Sequence, residues 1–83
     1  MDPKKPALNQ LAEAYRPNQK RSLVINGHAT SVALEPIFWK RLEAIAKNCD
    51  MSLAELIEEL DQVRGTRQGG LASFLRFVAV SLN

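Results

Sequence analysis

The sequence is short of the residues on which catalysis and metal binding rest. Its 83 residues include one cysteine, Cys49, and one histidine, His28. A single cysteine excludes an intrachain disulfide and any cysteine-based metal cluster. There is no glycine-rich phosphate loop and no carboxylate pair in an evident pocket, so no catalytic residue, metal ligand or cofactor is expected. No apolar run approaches the roughly 20 residues of a membrane span. The opening stretch, "MDPKKPALNQLAEAYRPNQKR", lacks the apolar core of a secretory signal. A cytoplasmic protein that is not an enzyme is the expectation.

What is present is charge sorted along the chain. The net charge is only +2. Lys4, Lys5, Arg16, Lys20 and Arg21 outweigh Asp2 and Glu13 near the start, whereas Glu55, Glu58, Glu59 and Asp61 cluster later against Arg64. A basic terminal segment ahead of a mixed-charge body suits either an anionic partner or plain solvation. Three of the four prolines also fall in residues 1–21. This stretch reads as a basic, flexible arm, with a short helix near "ALNQLAEAY" that cannot stand alone. Residues 22–83 read as the domain. So small a core supplies only a few kcal/mol, and with no disulfide or metal to help, a homodimer is expected.

Within the domain, "NGHATSVALEPIFW" carries the clearest signals. Asn26-Gly27 between β-prone runs is a strong hairpin signal, so residues 22–25 can pair with the strand that follows. In that strand Thr30, Val32 and Leu34 share one face, and Ala29, Ser31 and Ala33 share the other. Pro36 suits the first turn of a helix. From there Phe38, Leu42, Ile45 and Cys49 step at helical spacing, widened by Trp39 and Ala46. Ser52 and Glu55 form a capping box for a second helix, with Leu53, Leu56, Ile57 and Leu60 on its apolar stripe. Gly65 closes it, "TRQGG" is a loop, and "LASFLRFVAVSLN" is a third helix. Phe77 and Val80 lie off its main stripe, which suggests burial against a second chain.

Strand, helix and capped helix in this order resemble a ribbon-helix-helix protein. The chain is similar to the small bacterial group of that superfamily whose pattern reads Gly-His-x-Thr-Ser-apolar-x-Leu-Glu, then Phe-Trp, Leu and Ile-Ala, with Leu, Ser and Arg in a last helix. It matches at Gly27, His28, Thr30, Ser31, Leu34, Glu35, Phe38, Trp39, Leu42, Ile45, Ala46, Leu71, Ser73 and Arg76, over about residues 22–82. The fold class implied is mainly α with a short β-ribbon: a ribbon-helix-helix dimer with an additional C-terminal helix.

The resemblance implies obligate dimers in which one strand from each chain pairs into an antiparallel ribbon. That ribbon lies in the major groove of double-stranded DNA. Carried over, Ala29, Ser31 and Ala33 face the bases. Ser52, Leu53 and Ala54 hold a phosphate at a helix start. Lys20 and Arg21 are candidate backbone contacts beside the ribbon. Thr30, Val32, Leu34, Phe38, Trp39, Leu42, Ile45, Leu56, Ile57 and Leu60 are expected in the dimer core. The implied function is transcriptional regulation.

One departure matters. The positions flanking Ser31 are commonly basic in relatives, and here both are alanine. Alanine offers a thymine methyl contact but neither charge nor hydrogen bond. Three explanations stand open: weak DNA binding through the arm and helix ends, a dimeric antitoxin-like or adaptor module that does not bind DNA, or alanines introduced to disarm the face. An extra strand from residues 22–25 would widen a dimeric ribbon beyond the groove and favour the second. His28 is expected as a structural hydrogen-bonder and Cys49 as a core thiol. The acidic second helix reads as a solvated face able to recruit a basic protein partner.

Overall fold

The computed structural model describes residues 4–66 and 69–82, with side chains from residue 7 onward. Asp2, Arg67 and the side chains of Lys4 and Lys5, which enter the charge pattern above, lie outside the description. The elements run α1 (Lys4–Ala14), β1 (Gln19–Ile25), β2 (His28–Leu34), α2 (Pro36–Asn48), α3 (Leu53–Arg64) and α4 (Leu71–Ser81). No helix among the described residues is long and apolar enough to cross a membrane.

The two strands form an antiparallel hairpin within one chain. Asn26 and Gly27 sit at the turn with φ of 52° and 78°, the paired positive values of the tight turn that matches strand twist. This corrects the expectation of a ribbon made only between chains: β2 finds its partner in its own β1. It also moves the start of ordered strand to Gln19, inside the segment read as an arm. The turn is pinned from below, since the Asn26 N–H donates to Glu58 Oε1 at 2.9 Å. Glu58 is therefore engaged with the ribbon and not simply solvated.

The inner face of the hairpin rests on the helices. Ile25, Val32 and Leu34 join Trp39, Leu42, Ile45, Ala46, Leu56, Ile57, Leu75, Val78 and Ala79 in the core. α3 packs against β1 and α4 against β2. Of the residues expected in a dimer core, Val32, Leu34, Trp39, Leu42, Ile45, Leu56 and Ile57 are already buried within one chain, while Thr30, Phe38 and Leu60 are half-buried. The reason is that β1 and α4 supply the cover a second chain was expected to give.

Trp39 shows how the sequence enforces this. Its ring is fully buried, and a buried indole N–H needs an acceptor. It donates to the Gln19 carbonyl oxygen at 2.8 Å, so α2 fastens the start of β1. Cys49, expected on the same stripe, is exposed. α2 ends at Asn48, and Cys49 is its C-cap. Asp50 then takes a left-handed φ of 55° and the chain leaves the helix, so the thiol stands at its frayed end, uncovered.

Ser52 caps α3 as expected, its hydroxyl accepting the Glu55 N–H at 3.1 Å. α4 is anchored by Arg41, whose guanidinium donates to the carbonyls of Ala79 and Leu82. Phe77 and Val80 remain exposed on it. Among the described residues, α1 has no extensive packing on another element and meets the start of α2 only across a groove. The radius of gyration of 15.1 Å accordingly exceeds the roughly 12 Å of a compact chain this size, and the long axis is 54 Å against 23 and 22 Å for the others.

Candidate nucleic-acid interface

The outer face of the hairpin is set by its register. Lys20 opposes Ala33, Ser22 opposes Ser31, and Val24 opposes Ala29. Directly opposed residues on one face lie about 5 Å apart, so these six side chains, four of them alanine or serine, share one outward face. Its two serines are central, Lys20 is its only cation, and it carries no carboxylate. Ala29, Ser31, Ser22 and Val24 are exposed, and Ala33 is half-buried. The expected base-facing triplet thus does share one outward surface. The sequence reading missed the matching triplet from β1, although the Asn26-Gly27 turn and strand alternation together were the signal for it.

Lys20 and Arg21 part company. Alternation puts Lys20 outward and Arg21 inward. The Arg21 guanidinium carbon lies 4.8 Å from the centroid of the Trp39 ring, and Nη1 is 2.7 Å from Glu43 Oε1. The two expected backbone contacts thus sit in different settings: Lys20 faces outward, and Arg21 is held under the ribbon by α2. Arg21 and Glu43 are both partly open to solvent, so the pair orients the side chain more than it stabilises the fold.

The helix start at Ser52, Leu53 and Ala54 is built for an anion in one respect. The first N–H groups of a helix lack intrahelical acceptors. Glu55 N–H is taken by the Ser52 hydroxyl, which leaves those of Leu53 and Ala54 at the positive end of the dipole. Leu53 and Ala54 are half-buried by their side chains, and Ser52 is exposed. Glu58, which meets the hairpin turn, is six residues along α3, about 9 Å from the cap by helical rise. The helix start is thus set apart from the turn along the length of α3.

The remaining polar groups mainly tie elements together. The Glu35 carboxylate, at the N-cap of α2, accepts from Arg76 Nε of α4 at 2.9 Å. That hydrogen bond, aided by Glu35's own backbone, holds its pKa below the ordinary glutamate value. The Arg76 guanidinium lies 5.9 Å from the Phe38 ring centroid. Asp61 pairs with Arg64 at 2.9 Å on α3, while Glu55 and Glu59 are exposed. His28 is exposed at the ribbon end opposite Ile25, and its carbonyl accepts from the Thr30 hydroxyl at 3.4 Å. Among the described residues, no group of three or more His, Cys, Asp or Glu side chains is placed to hold a metal ion.

Comparison with known proteins reaches the same part of the chain. The family described as ribbon-helix-helix domain matches residues 18–82, which takes in β1 as well as β2. A solved structure, an uncharacterized protein from Bordetella pertussis Tohama I, is similar to this chain with a TM-score of 0.79 and 32% identity over 96% of its length. The chain spans 66% of that protein's length. No curated protein matches the sequence.

Proposed function

We propose that this chain, which belongs to the ribbon-helix-helix domain family, is a homodimeric DNA-binding regulator that offers its own β1–β2 hairpin to the major groove. The family includes DNA-binding transcription regulators and antitoxins. The observation that carries the reading is the outer face of the hairpin, which is free of carboxylates and bears Ser22 opposite Ser31 with Lys20 beside them. A two-stranded ribbon fits a major groove about 12 Å wide. Four paired strands would not, because their outer axes would stand about 14 Å apart before side chains are counted. The reading therefore has each hairpin enter separately, with β2 unpaired at its other edge.

Affinity on this reading comes mainly from phosphates. Alanines at 29 and 33 forgo the bidentate contacts that are each worth about 1–3 kcal/mol of base discrimination. Lys20 on the ribbon and the N–H groups of Leu53 and Ala54 supply the backbone grip. Such binding is poor in sequence preference and steep in salt.

A second reading has support in two observations: β1 is the extra strand that would widen a ribbon paired between two chains beyond the groove, and a single lysine is little charge for a DNA face; both favour an antitoxin-like or adaptor module that meets protein. Electrophoretic shift of duplex DNA separates the two. The parent chain should bind with a Kd of roughly micromolar or weaker at physiological salt, and tighter at low salt. Ala29→Arg with Ala33→Arg should tighten binding and sharpen its sequence preference. If the double-arginine chain still ignores DNA at low salt, the regulator reading fails and the protein module stands.

A further inference from the structure

A groove opens between the end of α1 and the start of α2. Its volume is about 420 Å³, within the range of small-molecule sites. Leu11, Ala14 and Tyr15 line one side, and Pro36, Ile37 and Phe38 the other. All six present apolar or aromatic surface. Leu11, Tyr15 and Ile37 are 66%, 65% and 72% exposed.

Two charged residues complete the lining, Arg16 and Glu35, and they are not equivalent. The Glu35 carboxylate is already engaged, accepting from Arg76 Nε at 2.9 Å. Arg16 meets no carboxylate among the described residues. Its Nη1 donates to the main-chain carbonyls of Glu13 at 2.7 Å and Tyr15 at 2.9 Å. Those two bonds fix the guanidinium beside the end of α1 and use Nη1 alone. Nε and Nη2 make no hydrogen bond among the described residues. Two neighbouring N–H donors of an arginine form a fork that matches a carboxylate.

These features together select the occupant. Covering the exposed lining takes an apolar body, because buried polar groups would find no partners along it. Meeting Arg16 takes one carboxylate. A second negative group would find no cation, since Arg76 is taken by Glu35. We propose that the groove binds a medium-chain aliphatic monocarboxylate, with its chain on Leu11, Tyr15, Ile37 and Phe38 and its head group on Nε and Nη2 of Arg16. The bound chain ties α1 to α2, which the fold itself joins only across this opening. The site lies away from the outer face of the hairpin, and the proposal rests on neither DNA binding nor dimerisation.

Amide NMR of the isotope-labelled full chain, titrated with octanoate, is the test. Octanol serves as a ligand of equal chain length without the charge. Octanoate should bind saturably with a Kd on the order of 0.1–1 mM and shift residues 11–16 and 35–38. Octanol should bind about 10-fold more weakly. Arg16→Gln should weaken octanoate by about the same factor and leave octanol unchanged. Ile37→Asp should abolish the binding of both. The indole N–H signal of Trp39, bonded to the Gln19 carbonyl, shows whether the fold is intact. Octanoate that does not saturate, or that shifts the whole surface evenly, would overturn the proposal and leave the groove to a protein segment. Equal affinity for octanoate and octanol would overturn it on the parent chain alone. So would a folded Arg16→Gln chain that binds octanoate as the parent does.

Discussion

α1 and α2 have the same pattern and opposite fates. Leu8, Leu11, Ala12 and Tyr15 trace a helical stripe, as do Trp39, Leu42, Ile45 and Ala46. The second stripe is buried, and the first lies open to solvent. Periodicity therefore reports that a helix has a face to cover. It does not report what covers it. α2 is covered because α3 and α4 of its own chain pack on it and Trp39 reaches β1, whereas α1 only borders the start of α2 across an open groove.

The largest way to break this contrast is at Trp39. Trp39→Ala removes a fully buried ring and orphans the Gln19 carbonyl, so it should cost about 3–5 kcal/mol by urea unfolding. Leu11→Ala, measured at a concentration low enough for monomer, should change stability by less than about 0.5 kcal/mol. Comparable losses at the two sites would mean that α1 is covered within its own chain.

The hairpin turn comes next. Gly27 holds a φ of +78° with no atom near its missing Cβ, so Gly27→Ala meets backbone strain without a clash. It should cost about 1–2 kcal/mol, read from the urea midpoint. A neutral result would show that β1 and β2 do not depend on this turn, and the ribbon would have to be closed by a second chain after all.

The smallest effect is at the Glu35–Arg76 pair that joins α2 to α4. The carboxylate's pKa is lowered in the fold. Its contribution is therefore present above the unfolded pKa and lost as pH falls through the folded one. Between about pH 6 and pH 3 the parent should lose more stability than Glu35→Gln, with the gap between them closing at the acid end. Both groups are partly exposed, so the difference should be small. Parallel pH profiles would remove the pair from the account.

Much of the domain was legible residue by residue. Pro36 starting α2, the Ser52 cap of α3 and the alternation of β2 all follow from local chemistry, and the structure places each where that chemistry puts it. What was not legible depended on which chain supplies a partner. Asn26-Gly27 announced a hairpin, but nothing local says whether β2 prefers β1 or a second copy. Trp39 was readable as core, yet its acceptor at Gln19 lies 20 residues away. Lys20 and Arg21 look alike as neighbouring cations. Only the register separates them, sending one outward and the other under the ribbon to Glu43 and Trp39. Cys49 failed for a simpler reason: its stripe outlasts its helix by one residue.

That separation of Lys20 from Arg21 gives the most direct test of the central claim, that the outer face of the intrachain hairpin is what meets DNA. The measurement is the slope of log K against log salt for duplex binding by the parent, Lys20→Ala and Arg21→Ala. Each phosphate contact contributes about 0.9 to that slope, so Lys20→Ala should flatten it by roughly 2 in a dimer. Arg21→Ala should leave it unchanged. If Arg21→Ala flattens the slope while Lys20→Ala does not, and the fold is intact in both, the ribbon presents its other face and the account is wrong.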